Sequence, residues 1–316
     1  MRYIFRADSS RAIGSGHVMR SSAIAEELIA RGREVIFIGA ISDVPWVASR
    51  IMSLGFSKIL ENTKKFVSDP GHDVLILDSY TVSVNDEFIQ QKHWRRIVAI
   101  SDDLTPTYKA DLIIHPGISD EWKPNRDVKF LTGPDYIPFR RSINKSVKNL
   151  SIKGDTKILV VGGGTDPFNF AEEICKSLKN IQGLFHVIIF SNNGLLARMD
   201  SRFTVVEIGF QLDVEASNAD LVFTTASTTS LEFIAREIPL GLGCAVDNQK
   251  EYYESLASAG VAIPVGEFNG GRWQLDQTKM ADLINSDELR KTLKQKSAGL
   301  VDLKGAERIV NEILKL

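Results

Sequence analysis

YIFRADSSRAIGSGHVMRSSAIAEELIARGREVIFIGA, residues 3–40, holds an apolar run, a glycine-broken loop, a helical pattern and a second apolar run. The runs YIFRA (3–7) and EVIFIGA (34–40) are short and bounded by polar or glycine residues, as strands buried on both faces read. Between them, from about 21 to 30, Ile24, Ala25, Leu28 and Ile29 follow the 3.6-residue period, and Gly32 is a stop signal. Strand, helix, strand in this order is one βαβ unit, and it predicts a parallel sheet.

The pattern recurs to the end of the chain. DVLILDS (73–79), RIVAIS (96–101) and DLIIH (111–115) read as further strands of the first half. KILVVGG (157–163), FHVIIFS (185–191), FTVVEIG (203–209), ADLVFTTAS (219–227) and PLGLGCAV (239–246) read as strands of the second, with helical patterns at 171–180, 229–237 and 250–260. At 316 residues the chain is long enough for two domains. The polar, basic stretch INKSVKNLSIKGD (143–155) is the linker candidate. The expected fold class is α/β: two Rossmann-like doubly wound domains, 1–142 and 156–316, facing across a cleft. A last helix at about 306–316 is expected to pack back on the first domain.

Composition excludes several classes. A net charge of −2 provides no basic field for nucleic acid or an anionic membrane. No stretch approaches the roughly 20 apolar residues of a spanning helix, so no stable membrane insertion is expected. MRYIFRADSS, residues 1–10, lacks the apolar run of a signal peptide. Cys175 and Cys244 stand in apolar settings without metal-ligand spacing. They read as buried free thiols of a cytoplasmic protein.

In doubly wound folds ligands bind beyond the carboxyl ends of the strands, which singles out four loops. In GSGHVMR (14–20), Gly14 and Gly16 allow close backbone approach, and His17 stands at a helix start. That is an unfavourable place for an added positive charge, which suits a proton acceptor; a locally packed or capping histidine is the plainer alternative. The motif lacks the third glycine of a dinucleotide loop and the Gly-Lys of a P-loop. GGGTDP (162–167) follows the first strand of the second half; Gly163, Gly164 and Thr165 suit an anion, and Thr165 or Asp166 suits a helix cap. TTASTTSLEF (224–233) leads Ser227, Thr228 and Thr229 into a helix, with Glu232 placed for a ribose hydroxyl pair or for solvent. Asn248 and Gln249 follow the next strand. Together these loops suggest a nucleoside diphosphate site in the second domain. LDSY (77–80) and SDDL (101–104) end strands of the first domain, so Asp78, Tyr80, Asp102 and Asp103 can orient a sugar, orient His17, or cap helices. His115, ending a strand before Pro116, is a weaker candidate than His17. No HExxH, CxxC or GxSxG pattern occurs, and no metal or other cofactor is expected.

FRADSS, IGSGHVMRSSAIAEEL, LILDSY, SDDL, ADLIIHPG, LTGPDYIPFR, GGGTDP, TASTTSLEF and DNQ, in this order over about residues 1–260, resemble the PseG-type UDP-sugar hydrolases. These are relatives of the MurG glycosyltransferases with two Rossmann-like (GT-B) domains. The resemblance implies UDP bound by the 162–167 loop, Ser227, Thr228, Thr229, Glu232, Asn248 and Gln249. It implies attack of water on the anomeric carbon of UDP-2,4-diacetamido-2,4,6-trideoxy-β-L-altropyranose, with inversion, His17 as base and no metal, in pseudaminic acid biosynthesis. The candidates are then His17, Tyr80 and Asp78 for catalysis, with Gly14, Gly16, Arg20, Asp102 and Asp103 for the sugar. Two departures fall near the expected sugar site: Ser79 replaces the family's histidine before the tyrosine, and Ser142-Ile143 replaces its glutamate-phenylalanine pair. A glycosyltransferase or a non-catalytic nucleotide-sugar binding module would use the same loops.

Overall fold

The computed structural model describes residues 1–80, 82–102, 108–119, 128–143, 155–209 and 211–316. The chain divides into two compact units, Met1–Arg141 with Asp302–Leu316, and Ser142–Val301. Most of the linker candidate, residues 144–154, lies outside the described residues.

The first unit is built from β1 (Arg2–Ala7), α1 (Gly16–Ala30), β2 (Glu34–Ile38), α2 (Pro45–Ser53), β3 (Lys58–Leu60), β4 (Asp73–Asp78), β5 (Arg96–Ile100), β6 (Leu112–His115) and β7 (Lys129–Thr132). Its sheet has the order β3-β2-β1-β4-β5-β6-β7, with every described pairing parallel. Alternate residues serve opposite faces. Tyr3, Phe5, Val74, Ile76 and Val98 join the cluster that holds α1's Ile24, Ala25 and Leu28. Ile4, Ile36, Leu75, Leu77 and Ile97 join a second cluster with Trp94 and Ile89. All six residues of β4 are buried, which is why DVLILD reads as one apolar run capped by carboxylates.

The second unit repeats the plan with β8 (Thr156–Val161), α3 (Phe170–Leu178), β9 (Phe185–Phe190), β10 (Phe203–Val206), α4 (Leu212–Ala216), β11 (Leu221–Thr225), α5 (Thr228–Ala235), β12 (Leu240–Cys244), α6 (Lys250–Ser258), β13 (Ala262–Asn269), β14 (Arg272–Leu275), α7 (Gln277–Asn285) and α8 (Asp287–Ser297). The order is β10-β9-β8-β11-β12-β13-β14, and only β13–β14 is antiparallel. Gly243 sits inside β12 because Phe170 and Trp273 fill the space beside it; a Cβ there would stand 2.5 Å from the Phe170 ring. The β13–β14 hairpin turns at Gly270 and Gly271, both with positive φ. Such a two-residue turn needs that conformation.

In both sheets the chain leaves the first strand toward one edge and returns on the strand's other side. Each sheet therefore has a switch point, between β1 and β4 and between β8 and β11, where ligands of such folds bind.

The last helix, α9 (Gly305–Ile313), belongs to the first unit, so the second ends at Val301 rather than at 316. Ile309, Val310 and Ile313 enter the α1 face of the first core, and Arg31 donates to Asn311 Oδ1 at 2.7 Å. Apolar surface left on that face by α1 is what draws the C-terminal segment back. No helix among the described residues is long and apolar enough to cross a membrane.

Docking of α9 depends on Gly305, where a Cβ would lie 2.0 Å from the Ile137 carbonyl oxygen. Gly305→Ala is expected to destabilise the chain by about 1–3 kcal/mol, read as a lower urea midpoint. Gly194→Ala, with nothing within 4 Å of its Cβ position, should leave the midpoint in place.

Candidate active site

α1 begins at Gly16, five residues before the apolar pattern starts. The intervening residues are helical because their face buries polar groups: His17, Arg20, Ser21 and Ser22 are all buried in α1. Gly14, at φ 81°, takes the turn before the helix, and its carbonyl accepts from Ser9 Oγ at 3.0 Å.

That polar face meets Asp78, the fully buried last residue of β4. Asp78 Oδ1 accepts from His17 Nδ1 at 2.5 Å and Arg20 Nη2 at 2.7 Å; Oδ2 accepts from Arg20 Nε at 2.6 Å and Ser21 Oγ at 3.2 Å. Four donors fill the four lone-pair directions of one carboxylate. Arg20 also donates through Nη1 to Asp102 Oδ1 at 2.5 Å, in the turn after β5. Tyr80 Oη donates to Asp102 Oδ2, and the Tyr80 ring stands edge-on to the His17 ring with centroids 4.2 Å apart.

A carboxylate only accepts, so the proton between His17 and Asp78 belongs to Nδ1 and the lone pair of the neutral ring to Nε2. Arg20 Nη2, 3.3 Å from Nδ1, is then a second donor and not a hydrogen-bond partner. Burial alone would raise the Asp78 carboxyl; the charge of Arg20, then that of His17, outweighs it and holds the group below the usual carboxylate range. Burial likewise opposes ionisation of Asp102, but Arg20 and the Tyr80 hydroxyl bring it down to about 2. Burial pushes the Tyr108 phenol up, and Asp78 adds to the effect.

The structure thus brings His17, Arg20, Asp78, Tyr80 and Asp102 together at the first switch point. Arg20, read from sequence as a sugar-binding residue, has a side chain 4% exposed and spans Asp78 and Asp102. Tyr80 is half exposed. Asp103 lies outside the described residues. His115 is buried at the end of β6, its Nδ1 2.9 Å from the Ser101 carbonyl oxygen, beside the turn that carries Asp102. Sequence reading missed Ser21 and Tyr108; a serine inside a helix and a lone tyrosine carry no local signal.

In the second unit, the GGGTDP loop follows β8. Gly162 is needed because Asp166 folds over it: a Cβ would stand 2.2 Å from the Asp166 carboxyl carbon. Asp166 caps α3 by accepting from the Phe170 and Ala171 amides at 2.8 and 3.0 Å, and burial raises its carboxyl. Gly163 has φ 91°, and Thr165 Oγ1 is buried without a hydrogen-bond partner. The Trp273 indole donates to the Phe168 carbonyl at 2.9 Å, so the β13–β14 hairpin braces this loop. The Asn269-Gly270-Gly271 turn signature could have revealed that hairpin.

Beside the loop, β11 runs into α5. Ser227 precedes that helix, its amide donating to Ser230 Oγ at 3.2 Å, and Thr228 and Thr229 open it. Glu232 lies one turn on, half-buried. After β12, Gln249 Oε1 accepts from the Ala245 amide at 2.8 Å, and Asn248 is exposed. Gly163, Gly164, Thr165, Ser227, Thr228, Thr229, Glu232, Asn248 and Gln249 therefore lie on loops or helix starts that follow three adjacent strands. Among the described residues no group of three or more His, Cys, Asp or Glu is placed to hold a metal ion.

No protein-family model matches the chain. The structure resembles MurG of Acinetobacter baumannii, with a TM-score of 0.68 at 13% identity over 100% of both chains. It also resembles the spinosyn forosaminyltransferase SpnP, at 0.66 and 11% over 100% of both. The fold is GT-B. In sequence the chain is 22% identical over 286 residues to the UDP-2,4-diacetamido-2,4,6-trideoxy-beta-L-altropyranose hydrolase of Campylobacter jejuni, covering 83% of this chain and 98% of that one. It is 23% identical over 287 residues to the uncharacterized protein MJ1062 of Methanocaldococcus jannaschii, of which it spans 58%.

The Asp102 environment of this GT-B chain sets an acid limit. Its carboxyl, at about 2 when folded, titrates near 3.9 when unfolded. The stabilisation is therefore complete above about pH 4 and is lost as pH falls toward about 2. Asp102→Asn should flatten that part of the curve of urea midpoint against pH, leaving the share due to Asp78.

Proposed function

We propose that this protein hydrolyses a UDP-activated amino sugar at the anomeric C–O bond, releasing UDP and the free sugar. The observation that carries the reading is the buried Asp78–His17 pair at the first switch point, 2.5 Å apart. Similarity to a UDP-sugar hydrolase across nearly its whole length supports the substrate class and a place in glycan biosynthesis. The finer assignment is a pseudaminic-type nonulosonic acid route without a metal. The buried free thiols of Cys175 and Cys244 fit a reducing cytoplasm.

Asp78 holds the His17 ring with Nδ1 protonated, so Nε2 is the atom that accepts a proton. His17 Nε2 takes a proton from water as the water oxygen bonds to the anomeric carbon. The bond from that carbon to the diphosphate oxygen breaks, UDP leaves with the electron pair, and the anomeric configuration inverts. The imidazolium formed is stabilised by the Asp78 carboxylate. Tyr80, half exposed beside His17, is the residue we assign to the sugar, together with the Gly14–Gly16 turn. UDP is assigned to the second unit. The GGGTDP loop and the α5 start supply amides and the Thr165 hydroxyl to the diphosphate, and Glu232 takes the ribose hydroxyls. Asn248 and Gln249 contribute from the loop after β12.

Incubation with a panel of nucleotide sugars and no acceptor, followed by NMR of the anomeric proton, tests the reaction. Free reducing sugar of inverted configuration supports hydrolysis. Turnover only with an added acceptor would make the chain a glycosyltransferase, and UDP binding without product would make it a binding module. His17→Asn is expected to lower kcat roughly 10²–10⁴-fold while calorimetry finds UDP affinity unchanged. Parent-level turnover by that variant would remove His17 from the mechanism.

A further inference from the structure

Among the described residues, the array around His17 contains two carboxylates and one guanidinium, all but closed to solvent. Arg20 and Asp78 are 4% and 0% exposed as side chains, and Asp102 is 11% exposed. We propose that Arg20 is a positioning residue: its guanidinium ties the carboxylates of Asp78 and Asp102 into one array and so sets how strongly that array holds a proton on the His17 imidazole. This rests on the reading of His17 as the base, but its test does not require turnover.

The geometry is specific. One edge of the guanidinium, Nε and Nη2, engages both oxygens of Asp78 at 2.6 and 2.7 Å, and Nη1 reaches Asp102 at 2.5 Å. Five donors in a rigid plane allow this double engagement, and an ammonium cannot reproduce it. Asp78 faces His17 from β4, and Asp102 acts on it from the turn after β5. Tyr80 presents its ring edge to His17 and its hydroxyl to Asp102. Tyr108 faces Asp78, and Arg20 lies one turn along α1 from His17.

The charge count then matters. Counting the described groups Asp78, Asp102 and Arg20, the array carries one net negative charge with His17 neutral, and a proton on His17 makes it neutral. Without Arg20 the two carboxylates would act on the imidazole without the guanidinium's opposing charge, which favours the protonated ring. Without Asp102 the remaining Arg20–Asp78 pair is neutral, and the imidazolium loses support.

The test is a ¹⁵N NMR titration of the histidines in the full chain, with His17 assigned by the loss of its signal in His17→Asn. Arg20→Met should move the His17 titration up by about one unit, and Asp102→Asn should move it down by a similar amount. A merely structural role for Arg20 would not produce shifts of opposite sign. Unchanged titration in both variants, or movement in the same direction, overturns the proposal. If Arg20→Met does not fold, Asp102→Asn decides alone: a downward shift supports the proposal and no shift overturns it. No substrate is present, so the titration is read whether or not the chain cleaves a nucleotide sugar. Opposite shifts in a chain that fails the nucleotide-sugar panel would sink the functional reading and leave this one standing.

Discussion

A carboxylate with no exposed surface constrains the first unit more than any other group. Asp78 ends the central strand β4, and burying it unpaired would cost several kcal/mol. Its four lone-pair directions are filled from a single element, α1, by His17, Arg20 and Ser21. The helix must therefore begin early enough, and in the right rotation, to bring all three to the strand end. The glycine turn before α1, the burial of four polar residues on its first turns, and the reach of Arg20 to Asp102 follow from meeting that demand. Removing one partner of such a buried group leaves a charge stranded, which is why the cluster behaves as a unit.

The two units solve the same topological problem and fill the resulting position differently. Each has a switch point beside its first strand, where the carboxyl ends of neighbouring strands diverge. In the first unit that position is occupied by side chains: two carboxylates, a guanidinium, an imidazole and a phenol. In the second it is occupied by backbone, with glycines, a capping aspartate and small hydroxyl residues leading into α5. Side chains of matched charge suit proton transfer, whereas amides and hydroxyls at a helix start suit a phosphate. This division is the physical ground for the proposed division of labour between base and nucleotide.

Much of the fold was legible because strands buried on both faces leave dense apolar runs. β1, β2, β4, β5 and β6, and β8 to β12, all coincide with such runs. Four strands escaped: β3, β7 and β14 are short or at an edge, and the longer interior β13 alternates too many half-buried and exposed residues to show an apolar run. β3 has three half-exposed or exposed residues, β7 four with only one buried, and β14 pairs on one side only. α7 and α8 were missed in a charged stretch where burial of three residues apiece is too sparse to show a period. The start of α1 was misplaced for a different reason. Its first turns bury polar groups, and an apolar period cannot report a polar interior.

The sequence by itself determined the two α/β domains, the loops that end the strands, and His17 with its neighbours as candidates, because those depend on residue type and spacing along the chain. It could not assign Arg20. Three residues after His17 in sequence, that guanidinium is defined by Asp78 and Asp102, which lie 58 and 82 positions away and meet it only once β1, β4 and β5 pair. The return of the last helix to the first unit was expected from the sequence, but the close approach that allows it, Gly305 admitting the Ile137 backbone, is a tertiary contact. Local chemistry is written in order along the chain, but charge compensation across strands exists only after the sheet has formed.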